Sequence, residues 1–221
     1  MPGTIIAVGN EKGGTGKTTI AVNLISMAVA RGRDCLLVDA DPGQQSAAKW
    51  TARRREFHPD ANPVRCVTLT GKTLDIELQD LAQRYEVIVI DTGAEDSPEL
   101  RGAATVADLL LVPVQPEQFD FWTLPTMEAI FEKARRFNPD LACKLVLNRI
   151  PHQNVDQCLR DALAFLEENV SGLPRDIVPV VGRTAYGRAN AEGLGIWEMQ
   201  KRDPKAATEM QRLYREVFDG N

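Results

Sequence analysis

The segment Lys12-Gly13-Gly14-Thr15-Gly16-Lys17-Thr18-Thr19 packs three glycines, two lysines and three threonines into eight residues. Glycines let a backbone wrap tightly enough for successive N–H groups to converge on an anion. A helix starting near Gly16 would add its positive dipole end. Lys17 is spaced to neutralise the β and γ phosphates of ATP, and Thr18 offers a hydroxyl to Mg²⁺. Three acids stand at the ends of apolar runs: Asp39 and Asp41 in Leu36-Leu37-Val38-Asp39-Ala40-Asp41-Pro42, and Asp91 after Val87-Ile88-Val89-Ile90. Attack on a γ-phosphate needs positioning and charge neutralisation more than covalent help. Two lysines, one Mg²⁺ and strand-end carboxylates would supply both, so the expected chemistry is ATP hydrolysis.

Such residues need a scaffold that delivers strand ends to one edge. Strands are expected over 4–9, 34–40, 64–69, 86–91, 109–114, 144–148 and 177–181. Helices are expected over 17–31, 44–56, 73–84, 98–107, 119–137, 155–169 and 204–218, with Gly32 closing the first. Runs such as Leu109-Leu110-Leu111-Val112 are apolar throughout rather than alternating, as in strands covered on both faces. The β-α alternation predicts an α/β fold: a doubly wound, mainly parallel sheet flanked by helices, of the P-loop NTPase kind. Ligands of such sheets bind at the carboxyl ends of the strands. The 221 residues suit a single ATPase domain over 1–221.

The general P-loop pattern has its first glycine at position 11, where this chain has Glu11, and Lys12 follows. A second lysine so near Lys17 needs its own anion. The loop resembles the deviant Walker A motif, KGGxGK[ST], of the ParA/MinD family, and the resemblance runs from Thr4 to about Phe218. It implies that Lys12 reaches across an ATP-dependent homodimer to the partner's nucleotide, as an arginine finger does. It assigns Asp41 to activation of the attacking water, Asp39 to support of the metal site and Asp91 to the Walker B carboxylate that holds Mg²⁺. Thr18, Asp39, Asp41 and Asp91 are thus the metal candidates. Residues 13–19 with Lys12 bind the nucleotide, and Lys12, Lys17 and Asp41 are catalytic. The stretch 92–99 resembles the second switch, although Asp91-Thr92-Gly93-Ala94 replaces the family's Asp-Thr-Pro-Pro. Asn148 falls where the family often contacts adenine, and an Asn in that place also caps turns.

The resemblance further implies binding to DNA without sequence preference and a centromere-binding or cargo adaptor that stimulates a slow ATPase. The chain resembles short, plasmid-type ParA proteins, since it starts at the P-loop strand. Plasmid or chromosome partition is therefore the first expectation. A positioner of protein cargo and a MinD-like membrane-associated ATPase are the alternatives. Arg183 and Arg188, near Tyr186 after the last strand, are the candidate DNA contacts. Arg53-Arg54-Arg55 reads as a solvated helix end. The net charge of −5 disfavours a protein that coats nucleic acid with its whole surface, yet allows a local basic patch. Scattered Cys35, Cys66, Cys143 and Cys158 suggest reduced thiols and a cytoplasmic protein, and the resemblance implies that it is nucleoid-associated. Met1-Pro2-Gly3-Thr4 has no basic leader, and the end of the chain reads as a docked helix rather than a membrane anchor.

Overall fold

The computed structural model describes residues 3–220; the expectations placed on Met1, Pro2 and Asn221 lie outside them. Seven parallel strands form one sheet: β1 (Thr4–Val8), β2 (Cys35–Ala40), β3 (Arg65–Thr68), β4 (Val87–Thr92), β5 (Leu109–Val114), β6 (Ala142–Ile150) and β7 (Ile177–Val181). Their spatial order is β3-β2-β4-β1-β5-β6-β7, so β1 is central. The strand that follows β1 in the chain lies on one side of it, and β5 lies on the other. The crevice at the carboxyl end of β1 is therefore a point where the strand order reverses, the usual ligand position in open α/β sheets.

The uniformly apolar strands are explained by two cores. Ile5, Leu36, Val38, Ile88, Ile90, Leu110 and Val112 point to one face. There they meet α3 (Leu74–Ala82), α4 (Pro98–Val106), α6 (Leu124–Arg135) and α7 (Val155–Asn169). Ile6, Val8, Leu37, Val87, Val89 and Leu111 point to the other, under α1 (Lys17–Ala30), α2 (Ser46–Phe57), α8 (Thr184–Glu192) and α9 (Pro204–Phe218). Period-2 geometry is intact, but both faces are dry.

Two helical expectations change. The single helix expected over 119–137 is a short turn, α5 (Gln118–Phe121), followed by α6, which has a proline in its first turn. Pro125 fits there because the N–H it lacks has no helical partner at that position. The helix α8 is an addition to the expected set; it follows Arg183 and ends at Gly193 in a left-handed conformation, φ 72°. The terminal helix α9 buries Met210, Leu213 and Tyr214 in the second core, so its apolar stripe is docked. No helix among the described residues is long and apolar enough to cross a membrane.

Candidate functional site

The loop between β1 and α1 is shaped by two glycines in the left-handed region, Gly14 at φ 78° and Gly16 at φ 99°. A Cβ on Gly16 would also lie 2.2 Å from Asn148 Nδ2, so conformation and space both demand glycine. Lys17 opens α1 and is buried, with Nζ donating to the carbonyls of Asn10 (3.0 Å) and Lys12 (2.9 Å). Burial pulls its ammonium below the ordinary lysine value, while the charges of Asp91 and Asp41 act the other way. A cation held inside a glycine loop by backbone carbonyls alone is well placed to meet an incoming phosphate. The cleft at this point is lined by Gly13, Gly14, Lys17, Thr18, Asp41 and Thr92.

Parallel pairing sets the acids in line: Asp39 of β2 and Val8 of β1 are both in register with Asp91 of β4. Asp91 is almost fully buried, and its Oδ1 has no hydrogen-bond partner. Burial pushes its carboxyl up to about 7, reinforced by Asp39 and Asp41 and opposed by Thr18 and Lys17. An orphaned carboxylate oxygen beside a threonine hydroxyl and a lysine is a fitting place for a hard cation with oxygen ligands. Asp39 is fully committed within the chain: Oδ1 accepts from Asp41 N–H (3.1 Å) and Oδ2 from Ala48 N–H (2.8 Å). It therefore orders the backbone that follows β2 and the start of α2. Asp41 Oδ1 accepts from Gly43 and Gln44 N–H, both at 2.9 Å, and its carboxyl lies over Gly93. No three His, Cys, Asp or Glu side chains among the described residues form a ready metal cage. Thr18 and Asp91 are the side chains that fit magnesium, which would take its remaining ligands from phosphate and water.

Lys12 forms an ion pair with Asp120 on α5. Asp120 is wholly buried and its Oδ1 is unpartnered, whereas the Lys12 side chain is 33% exposed. Sequence alone does not single out this acid, because Phe119-Asp120-Phe121 reads as an ordinary helix start. An Asp flanked by aromatics is the available signal. Asn148 lies under the loop, with Nδ2 donating to Thr15 O (2.7 Å) and Oδ1 accepting from Arg149 N–H (2.9 Å). Both its polar ends are thus engaged in bracing Thr15 and the strand end.

Of the arginines expected to be free, Arg183 and Arg54 are engaged within the chain. Arg183 donates to Glu209 (2.8 Å) and lies 3.7 Å from Asp203, with its side chain only 13% exposed. Two carboxylates partner it, so it ties the β7 end to α9. Arg188 is exposed on α8. Arg54, expected to be solvated, is 3% exposed and bidentate to Glu198 at 2.6 and 2.7 Å, with further bonds to Asn62 and Gly193 carbonyls. The cysteines are free, and burial holds the Cys35 and Cys143 thiols up at about 12.

The chain matches the family model of the CobQ/CobB/MinD/ParA nucleotide binding domain over residues 6–196. Maintenance of carboxysome distribution protein A of Halothiobacillus neapolitanus is 32% identical over 220 residues, covering 96% of this chain and 95% of that one. Chromosome partitioning protein ParA of Caulobacter vibrioides is 28% identical over 219 residues, covering 80% and 82%. Among solved structures, the ATP complex of a Cyanothece McdA variant superposes with a TM-score of 0.79 at 15% identity, covering 98% and 96%. That likeness bears on the fold alone. With a family model spanning most of the chain and a P-loop geometry to match, the protein belongs to the CobQ/CobB/MinD/ParA nucleotide-binding family.

Proposed function

We propose that this protein is an ATP-hydrolysing positioner of protein cargo. The observation that carries the reading is the 32% identity to a carboxysome distribution protein over nearly the whole of both chains. The expected plasmid or chromosome cargo yields to the protein-cargo alternative, because the Caulobacter partition protein matches a smaller share at lower identity. In this reading ATP binding makes a homodimer, the dimer holds nucleoid DNA without reading sequence, and a cargo adaptor stimulates hydrolysis.

The chain's residues divide the work. Backbone N–H groups of residues 13–19 cradle the phosphates, and Lys17 turns from the Asn10 and Lys12 carbonyls to the β and γ oxygens. Thr18 and Asp91 would hold magnesium, which would supply further positive charge against the phosphates. Asp41, anchored through Oδ1 to Gly43 and Gln44, keeps its other oxygen for the attacking water. Water adds to the γ-phosphorus, the bond to the β-bridging oxygen breaks, and ADP and phosphate leave. Lys12 adds positive charge at the partner's γ-phosphate once it leaves Asp120.

The test is deletion of the gene in its own host. Clustering of a protein compartment that is normally spaced, with plasmids and chromosome inherited at the usual frequency, supports the reading. Loss of a plasmid with protein bodies undisturbed returns the function to partition.

A further inference from the structure

The helix α1 is apolar over most of its length, yet Thr19, Asn23 and Ser26 recur at spacings of four and three, so they share one face. Asn23 and Ser26 are fully buried. The segment from the end of α8 to Trp197 meets each of the three in turn. Trp197 donates its indole N–H to Ser26 Oγ (3.2 Å), and Ile196 N–H donates to Asn23 Oδ1 (2.8 Å). Asn190 Nδ2 donates to Thr19 Oγ1 (2.8 Å). The approach is close: a Cβ on Gly195 would lie 2.3 Å from Ser26 Oγ.

The two lower contacts are complete and the upper one is not. Asn23 spends its Nδ2 on the Thr19 carbonyl (2.8 Å), and Ser26 Oγ donates to the Asn23 carbonyl (3.0 Å). The Asn190 side chain engages only the Thr19 hydroxyl among the described residues, and its Oδ1 is buried without a partner. A leucine of similar size would leave no orphan there, so the amide carries a cost that its bond to Thr19 must offset. Thr19 lines the phosphate cleft. Its hydroxyl accepts from Asn190 and donates to no acceptor among the described residues. Thr51 and Thr208 instead donate back to carbonyls four residues earlier, a common use of a helical threonine hydroxyl.

We propose that Asn190 is a positioning residue for nucleotide binding: by donating to Thr19 Oγ1 it turns the hydroxyl proton into the cleft, toward a phosphate oxygen. A hydroxyl that accepts on one side must point its own O–H elsewhere, and accepting a bond makes it a stronger donor. Hydrogen bonds to a charged acceptor are about twice as strong as neutral ones, so a hydroxyl already aimed at phosphate gains most. Asn190 is not among the residues lining that cleft, so it acts through Thr19. The role rests on nucleotide binding at the glycine loop, and it ties α8 to the first turn of α1.

The experiment is an equilibrium titration of the full chain with a fluorescent, non-hydrolysable ATP analogue and Mg²⁺, which involves no turnover. Thr19→Val keeps the shape of the side chain and loses the hydroxyl; it is expected to weaken binding about tenfold. Asn190→Ala is expected to weaken it about fivefold. In the Thr19→Val background, Asn190→Ala should cost less than about twofold more, because the group it acts through is already gone. Asn190→Asp keeps the size of the side chain but can only accept, so it draws the Thr19 proton away from the phosphates. It is expected to bind more weakly than Asn190→Ala, and it remains informative if the smaller side chain destabilises α8. Full additivity in the double variant, or unmodified affinity in Asn190→Asp, would overturn this role while leaving the nucleotide site standing. Failure of the unmodified chain to bind the analogue would sink the nucleotide reading, and this role with it.

Discussion

Buried charges occur in two regions on the same face of the sheet, and the protein treats them in opposite ways. Between α2 and the segment after α8, Arg54 is enclosed with a bidentate carboxylate and two carbonyls, so every charge has a partner. At the strand ends, Asp91 is as deeply buried, yet one of its oxygens is orphaned and its carboxyl is held up at about 7. Lys17 there hydrogen-bonds only to backbone carbonyls. A buried ion pair with its hydrogen bonds complete is architecture, because removing either member strands the other. Buried charges left short of partners are a standing cost, tolerated where a ligand completes them.

The comparison is broken most forcefully at the lysines. Lys17→Ala is expected to cut ATP turnover about 1000-fold or more, with the fold retained, since transition-state charge loses its nearest cation. Lys12→Ala is expected to abolish turnover likewise, in steady-state assays with Mg²⁺. Wild-type turnover in Lys12→Ala would make Lys12 a surface residue and end the idea that it works in trans. In the paired region the same kind of truncation should spare nucleotide binding and strike stability. Arg54→Ala strands Glu198 and is expected to cost about 3–5 kcal/mol in urea unfolding. A loss under about 1 kcal/mol would show that water reaches the pair and that the two regions do not differ in kind.

Much of this is legible in the sequence, for physical reasons that also mark the limits. Runs such as Val87–Ile90 and Leu109–Val112 can satisfy two dry faces only in the middle of a sheet, so strand identity and parallel pairing follow from composition. The loop is legible because phosphate chemistry dictates glycine and lysine at fixed spacing. Partnering is not. Arg53, Arg54 and Arg55 are equivalent letters, and the burial of the middle one depends on Glu198, 144 residues away. Arg183 reads as free for the same reason, its partner Glu209 lying on a helix that only the fold sets against it. The helix α8 is hidden because Thr184-Ala185-Tyr186-Gly187 has a glycine near its start and only Tyr186 and Ala189 buried.

Asp91 sharpens the comparison through pH. Its folded carboxyl titrates near 7, above the unfolded value of 3.8. Below about pH 4 both states hold the proton and nothing is lost. As pH rises from 4 to 7 the unfolded state gives up its proton first, so this group's contribution to stability falls across that window. Asp91→Asn removes the titration. Without nucleotide or metal, it is expected to be more stable than the parent at pH 8 by up to a few kcal/mol, since each pH unit between the two values is worth about 1.4 kcal/mol, with the gain vanishing near pH 4. Magnesium-dependent turnover should disappear in the same variant. If thermal melts find Asp91→Asn less stable at pH 8, the acid is already satisfied and the region is not waiting for a cation.

The smallest effect is expected where the two regimes meet, at Lys12 and Asp120. Asp120 resembles Asp91 in burial and in having an orphaned oxygen, but its other oxygen is paired, and the lysine it holds is one-third exposed. An ion pair with one solvated member is worth about 1 kcal/mol. That is enough to bias Lys12 toward its own chain without fixing it there. Asp120→Asn keeps the shape of the side chain and removes the charge, so the lysine is released at little cost to α5. The expected result is a shift of about fivefold toward ATP-dependent dimer, read by light scattering over a protein dilution series with ATP and Mg²⁺. Turnover without any adaptor should rise in proportion, since the population of Lys12 free to cross the interface has risen. A weaker dimer in Asp120→Asn would mean that the carboxylate organises the interface itself, and that the ion pair belongs with Arg54 and Glu198 among the finished ones.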